Sequence, residues 1–313
     1  MSDLGATSTS TGTVPTTTQK VAAEVIGTFV LVLIGCGAIV YAREVGAIIT
    51  VTTVALAFGL AMTAAVHSFG RVSGGHFNPA TTLAAVLSGR LAWRELPAYV
   101  AAQLAGGLAA AAVLLGLVQG FAGHDGSDGL AQSSFGDQGT GYAAWSAFLL
   151  EMLLTAVLVT VVLAVTDARH EHPGSAPVVI GLTLAAAYAV ALPATGGSLN
   201  PARSVGPGLL AGTDAILQLW LFVLAPLLGA AVAGLAYPML FGHDREPVPG
   251  SGVPRPAPRA REAAVAPTAA AEPAPIIQDG WQWDPVAHQW RPLEQPPAPR
   301  PAGDDDGRTQ IRP

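Results

Sequence analysis

Apolar residues in this chain come in long runs. Six of them are long enough to cross a bilayer, which takes about 20 mainly apolar residues. They lie at roughly 20–41, 47–69, 95–119, 142–166, 176–194 and 214–241. Two shorter apolar pieces, about 78–89 and 200–211, cannot span. They fit re-entrant half-helices, which membranes tolerate only where irregular backbone is buried in protein or lines a wet cavity. The predicted fold class is therefore an all-α membrane protein with six transmembrane helices and two re-entrant half-helices.

Each short piece starts on the same motif. Residues 73–80 read SGGHFNPA and residues 195–202 read TGGSLNPA, with five of eight positions identical across a spacing of 122. Asn is a strong N-cap and Pro is favoured at the first helical position. Asn78, Pro79 and Ala80, and again Asn200, Pro201 and Ala202, thus predict two helix starts of one kind. The halves, about 20–119 and 142–241, are read as inverted repeats, with the site on the symmetry between them.

Charge and composition add orientation and boundaries. Only 12% of residues are charged, against roughly 25% in soluble domains. The loop between the second and third spans carries Arg71, Arg90 and Arg94, and the loop between the fourth and fifth carries Arg169. The loop at about 120–141 has no Lys or Arg, but has Asp125, Asp128 and Asp137. The positive-inside rule then places both termini in the cytoplasm, with Arg43 as a mild exception. The first apolar run is too long for the core of a signal peptide, so none is expected. The single Cys36 excludes an internal disulfide and a Cys-based metal site.

Residues 1–19 are Ser/Thr-rich and are expected to be disordered. Residues 242–313 are rich in Pro, Ala, Arg and Asp, and read as a disordered cytoplasmic tail. One island, GWQWDPVAHQWRP at 280–292, holds Trp281, Trp283 and Trp290. It reads as a partner-docking motif, a membrane-surface anchor or a tail without transport function.

The half-helix tips carry the chemistry. Each Asn oxygen is expected to accept from the first turn of its helix, leaving its NH2 donors for a lumen. Each tip also carries roughly +0.5 elementary charge. If two such ends meet, a neutral solute with an acceptor oxygen bonds Asn78 and Asn200, and cations are repelled. Gly74, Gly75, Gly196 and Gly197 let the backbone approach closely. Arg203 can donate to a passing solute, and His76 is a candidate lining residue. Glu24 and Glu151 lie inside spans at equivalent places in the two halves, where carboxylates are expensive. Two readings stay open: a proton-coupling pair, or the preferred one, acceptors for backbone amides of the re-entrant loops. His67, His170 and His172 can titrate, and a gate at the last two is the alternative to a solvated loop. No nucleophile–base pair or metal-ligand spacing points to an enzyme, a cofactor or a metal.

At these residues the sequence resembles the aquaporin, or major intrinsic protein, family. The resemblance covers about 20–241 and includes AEVIGTF at 23–29, AFG at 57–59, AQLAGG at 102–107 and NPARS at 200–204. It implies an hourglass pore in each subunit, a homotetramer in the cell membrane and passive flow of water. Small neutral solutes form a second expected class; no nucleic-acid partner is expected. By position relative to the two Asn residues, the family's outer constriction falls on Phe58, Tyr188, Gly197 and Arg203. Family water channels usually have His where Tyr188 stands. Glycerol facilitators usually have Asp where Ser204 stands, and an aromatic at the place of Gly197. The alternatives are a glycerol, polyol or gas facilitator, an ion-coupled transporter, and a non-conducting scaffold.

Overall fold

The computed structural model describes residues 14–47, 50–124, 129–243, 277–278, 281–284 and 288–292. Among them are eight α-helices: α1 (Thr17–Glu44), α2 (Val51–Ser73), α3 (Pro79–Leu87), α4 (Leu96–Val118), α5 (Ala144–Val165), α6 (Ala176–Thr195), α7 (Pro201–Leu210) and α8 (Thr213–Phe241). Six of these are long and apolar enough to cross a membrane, and α3 and α7 are the short pair between them. Large apolar side chains such as Leu60, Leu153, Leu224 and Leu235 stay exposed on the outside, as expected of a multi-pass membrane protein whose solvent is lipid.

Helix ends follow local chemistry, and two expectations from the sequence need correction. The first helix starts at Thr17, inside the segment expected to be disordered. Thr16 and Gln19 form a reciprocal capping box there, satisfying two backbone donors. The second runs over Val51–Ser73 rather than 47–69. Thr50 caps its start by accepting from the Thr53 N–H, and Gly74 ends it in the left-handed region at φ 93°.

Packing repeats between the halves. Helix α1 packs on α2 and α4, and α5 on α6 and α8. Helices α2 and α6 meet each other across the halves. At that crossing a Cβ on Gly59 would overlap the Gly181 carbonyl, and one on Gly181 the Gly59 carbonyl. Two glycines 122 residues apart thus bring the backbones together, as small residues do in membranes. The short helices swap sides: α3 packs chiefly on α8, and α7 on α4. Gly107 and Gly206 permit the second contact, since a Cβ on Gly107 would overlap the Ala202 carbonyl and one on Gly206 the Gly107 carbonyl.

A second compact unit lies within Pro256–Pro313. It contains a three-stranded antiparallel sheet, β1 (Ile277–Gln278), β2 (Trp281–Asp284) and β3 (Gln289–Pro292), in that order. No element is expected there from composition. The correction has a local cause: Trp-Gln-Trp-Asp and Gln-Trp-Arg-Pro alternate aromatic and polar residues, which suits paired strands. In register, Trp281 faces Pro292 and Trp283 faces Trp290. Apart from these strands, Gly242, His243 and His288, the expected tail lies outside the described residues.

Candidate functional site: two re-entrant loops meeting head to head

Each half-helix is preceded by a loop of the same shape. Gly74, Gly75 and Phe77 have φ of 93°, 68° and 49°, while Gly196, Gly197 and Leu199 have 73°, 68° and 56°. Glycine adopts these values readily; Phe77 and Leu199 do so at a cost. The buried glutamates hold both loops in this form. Glu24 accepts from Ser73 Oγ (2.6 Å), the His76 N–H (3.0 Å) and the Phe77 N–H (2.7 Å). Glu151 accepts from Thr195 Oγ1 (2.6 Å), the Ser198 N–H (3.1 Å) and the Leu199 N–H (2.8 Å). The three donors match one for one across the repeat. Gln103 gives Glu24 a fourth bond at 2.7 Å.

The strained loop residues bring the tips together. Asn78 Nδ2 donates to the Leu199 carbonyl at 2.8 Å, and Asn200 Nδ2 donates to the Phe77 carbonyl at 2.9 Å. Each Asn Oδ1 accepts from its own helix, Asn78 from the Ala80 N–H and Asn200 from the N–H groups of Ala202 and Arg203. Pro79 and Pro201 have no N–H to satisfy. The expectation that both NH2 hydrogens stay free is therefore corrected. One is donated to the opposite loop, and one remains on each amide. Asn78 and Asn200 keep 3% and 4% exposure, while Ala80 and Ala202 are fully buried.

On one side of this junction the four residues marked by the family resemblance converge. Phe58 and Tyr188 stack with centroids 4.1 Å apart. Arg203 lies over the Phe58 ring at 5.3 Å. It donates from Nε to Tyr188 Oη (3.2 Å), from Nη1 to Ser133 Oγ (3.2 Å) and from Nη2 to the Gly196 carbonyl (3.1 Å). Arg203 thus spends three of its five donors within the protein. Ser133 also bonds the Gly197 carbonyl and Ser204 Oγ, both at 3.0 Å. The sequence gives no motif that picks out Ser133. It sits in an irregular stretch, 70 residues before its partner. Gln103 is more legible, being a polar residue within a span.

On the other side, half-buried His76 sets its Nδ1 3.2 Å from Thr82 Oγ1. With Thr81, Tyr99, Val159 and Arg90 it lines a cavity of ≈ 620 Å³. Two half-helix tips, two amides and a buried guanidinium make a row of donors between these regions. That arrangement suits acceptor oxygens of neutral molecules.

Known proteins match this architecture. The family model for Major intrinsic protein matches residues 12–237. Aquaporin Z of Photorhabdus laumondii subsp. laumondii is 41% identical over 232 residues, covering 72% of this chain and 99% of that protein. Aquaporin Z of Rhodopseudomonas palustris is 40% identical over 227 residues, covering 71% and 93%. The X-ray structure of the aquaglyceroporin from Plasmodium falciparum matches with a TM-score of 0.65 at 25% identity, over 72% of this chain and 97% of that one. With a family model spanning most of its length and relatives matched nearly end to end, the chain belongs to the major intrinsic protein family.

Proposed function

We propose that the chain is a passive channel for water, with small neutral solutes as a second class, and that it excludes ions and protons. The observation that carries this reading is the reciprocal donation of Asn78 and Asn200 to each other's loops. It leaves one amide N–H on each tip for an acceptor oxygen, where two positive helix ends repel cations. Arg203 adds a fixed positive charge beside the same route, and His76 lines its inner mouth. Glu24 and Glu151 serve as loop supports rather than as a proton-coupling pair, because their partners are the loop donors themselves. The arginines between the second and third spans and between the fourth and fifth support cytoplasmic termini. A homotetramer in the cell membrane accords with the family.

Stopped-flow light scattering on proteoliposomes tests the reading. Osmotic water flux above that of empty vesicles, without solute accumulation against a gradient, is the expected result. Flux equal to empty vesicles with insertion verified sinks it. Glycerol flux in the same vesicles separates the polyol alternative.

A further inference from the structure

Tyr188 fills the level at which the outer constriction is built. Its ring stacks on Phe58 with 26° between the planes. It also lies against Gly197, where a Cβ would stand 2.9 Å from both Cδ1 and Cε1 of the phenol. Its hydroxyl donates to the Ser198 carbonyl at 3.1 Å and accepts from Arg203 Nε at 3.2 Å. A loop carbonyl and a guanidinium N–H are an acceptor and a donor of the kind that line a water-conducting passage. Here the phenol oxygen holds both. Arg203 cannot turn freely toward the passage, because Ser133 and the Gly196 carbonyl engage its other two nitrogens. Phe58 and Arg203 are fully buried and Tyr188 is 1% exposed, whereas His76 beyond the Asn pair borders open space.

We propose that Tyr188 is a plug built into the outer constriction: its hydroxyl occupies the station of a permeating water, and its ring sets both the flux and the largest solute that passes. The inference rests on the channel reading above and adds the group that limits it. The state described is the shut one. Conduction requires the phenol to leave Phe58 and Gly197 and to release Ser198 and Arg203. Removing the hydroxyl frees the tether, and removing the ring opens the level outright.

The full-length chain, reconstituted with inserted protein quantified, provides the test. Wild type, Tyr188→Phe and Tyr188→Ala are compared for osmotic water flux and for glycerol flux. Tyr188→Phe is expected to raise water flux per inserted channel at least about tenfold, the order carried by two lost hydrogen bonds. Tyr188→Ala is expected to be faster still and to admit glycerol. A wild type already as fast as Tyr188→Ala, both above empty vesicles, overturns the plug and leaves the channel standing. If Tyr188→Ala does not insert, Tyr188→Phe decides, since it keeps the ring volume; no gain overturns the plug. Silence from every correctly inserted variant overturns the channel reading itself, and the plug with it.

Discussion

At the scale of single residues, the site is held by paired acceptors under strained backbone. Phe77 and Leu199 sit in the left-handed region, at roughly 1–2 kcal/mol each. Their N–H groups go to Glu24 and Glu151 and their carbonyls to the opposite Asn. Replacing Glu151 by Gln sets an NH2 group against Thr195 Oγ1 and the Ser198 N–H, or against the Leu199 N–H. One buried donor then loses its acceptor, which costs about 1–3 kcal/mol. Lower thermal stability in detergent and a lower water flux are expected of Glu151→Gln, and unchanged values for both contradict the supporting role. Cys36 gives a second outcome. It is fully buried among apolar side chains that include Phe58 and Tyr188. Mercurials should leave water flux unchanged, and a block that vanishes in Cys36→Ser would place the thiol on the route. Asn78 and Asn200 are legible because a repeated motif names them, and Arg203 because it is a basic residue directly after the second copy, inside an apolar segment. Ser133 and the carbonyls of Phe77, Leu199 and Gly196 are not, because their part depends on loop shape and on tertiary approach.

At the scale of elements, hydrophobic runs gave the six spans, but caps set where they end. A run cannot register that Thr50 starts a helix or that Gly74 stops one, so α2 is displaced by four residues from its apolar stretch. The same holds for charge. Arg169 is a topology signal in the sequence, yet it also belongs to a cluster that joins three elements. Asp167, after α5, accepts from Arg169 Nε at 2.7 Å and from Tyr237 Oη of α8 at 3.0 Å. Arg90, after α3, pairs with the same carboxylate at 3.5 Å. Burial alone would raise the Asp167 pKa, but the hydrogen bonds from Arg169 and then Tyr237 outweigh it and hold the group at about 2. A folded-state value below the unfolded one, about 3.9, contributes stability above that unfolded value and loses it as pH falls toward 2. The melting temperature in detergent should therefore drop between about pH 4 and pH 2. Asp167→Asn should melt lower at neutral pH and show a shallower acid drop. An identical acid profile in the variant would show that the cluster does not anchor these elements.

At the scale of the molecule, the re-entrant loops and their supports all belong to the first of two compact units. Every hydrogen bond described for the site joins residues between Ser73 and Ser204, apart from those to Glu24. The Aquaporin Z of Photorhabdus laumondii is matched over 99% of its length by 72% of this chain. A member of this family is therefore complete in about the length of the channel region. The sheet of Trp281–Asp284 and Gln289–Pro292 belongs to a separate compact unit, and its Trp281 and Trp290 are exposed. A truncation that keeps the channel must still retain the end of α8, because Arg169 Nη1 donates to the Phe241 carbonyl at 2.9 Å. Ending the chain after His243 preserves that bond and the whole of α8. Water flux per inserted channel is expected to equal that of the full chain within measurement scatter. A large loss in the truncated chain, with thermal stability unchanged, would assign part of the conduction machinery to residues 244–313. A loss of both flux and stability would instead make those residues a structural support of the helices.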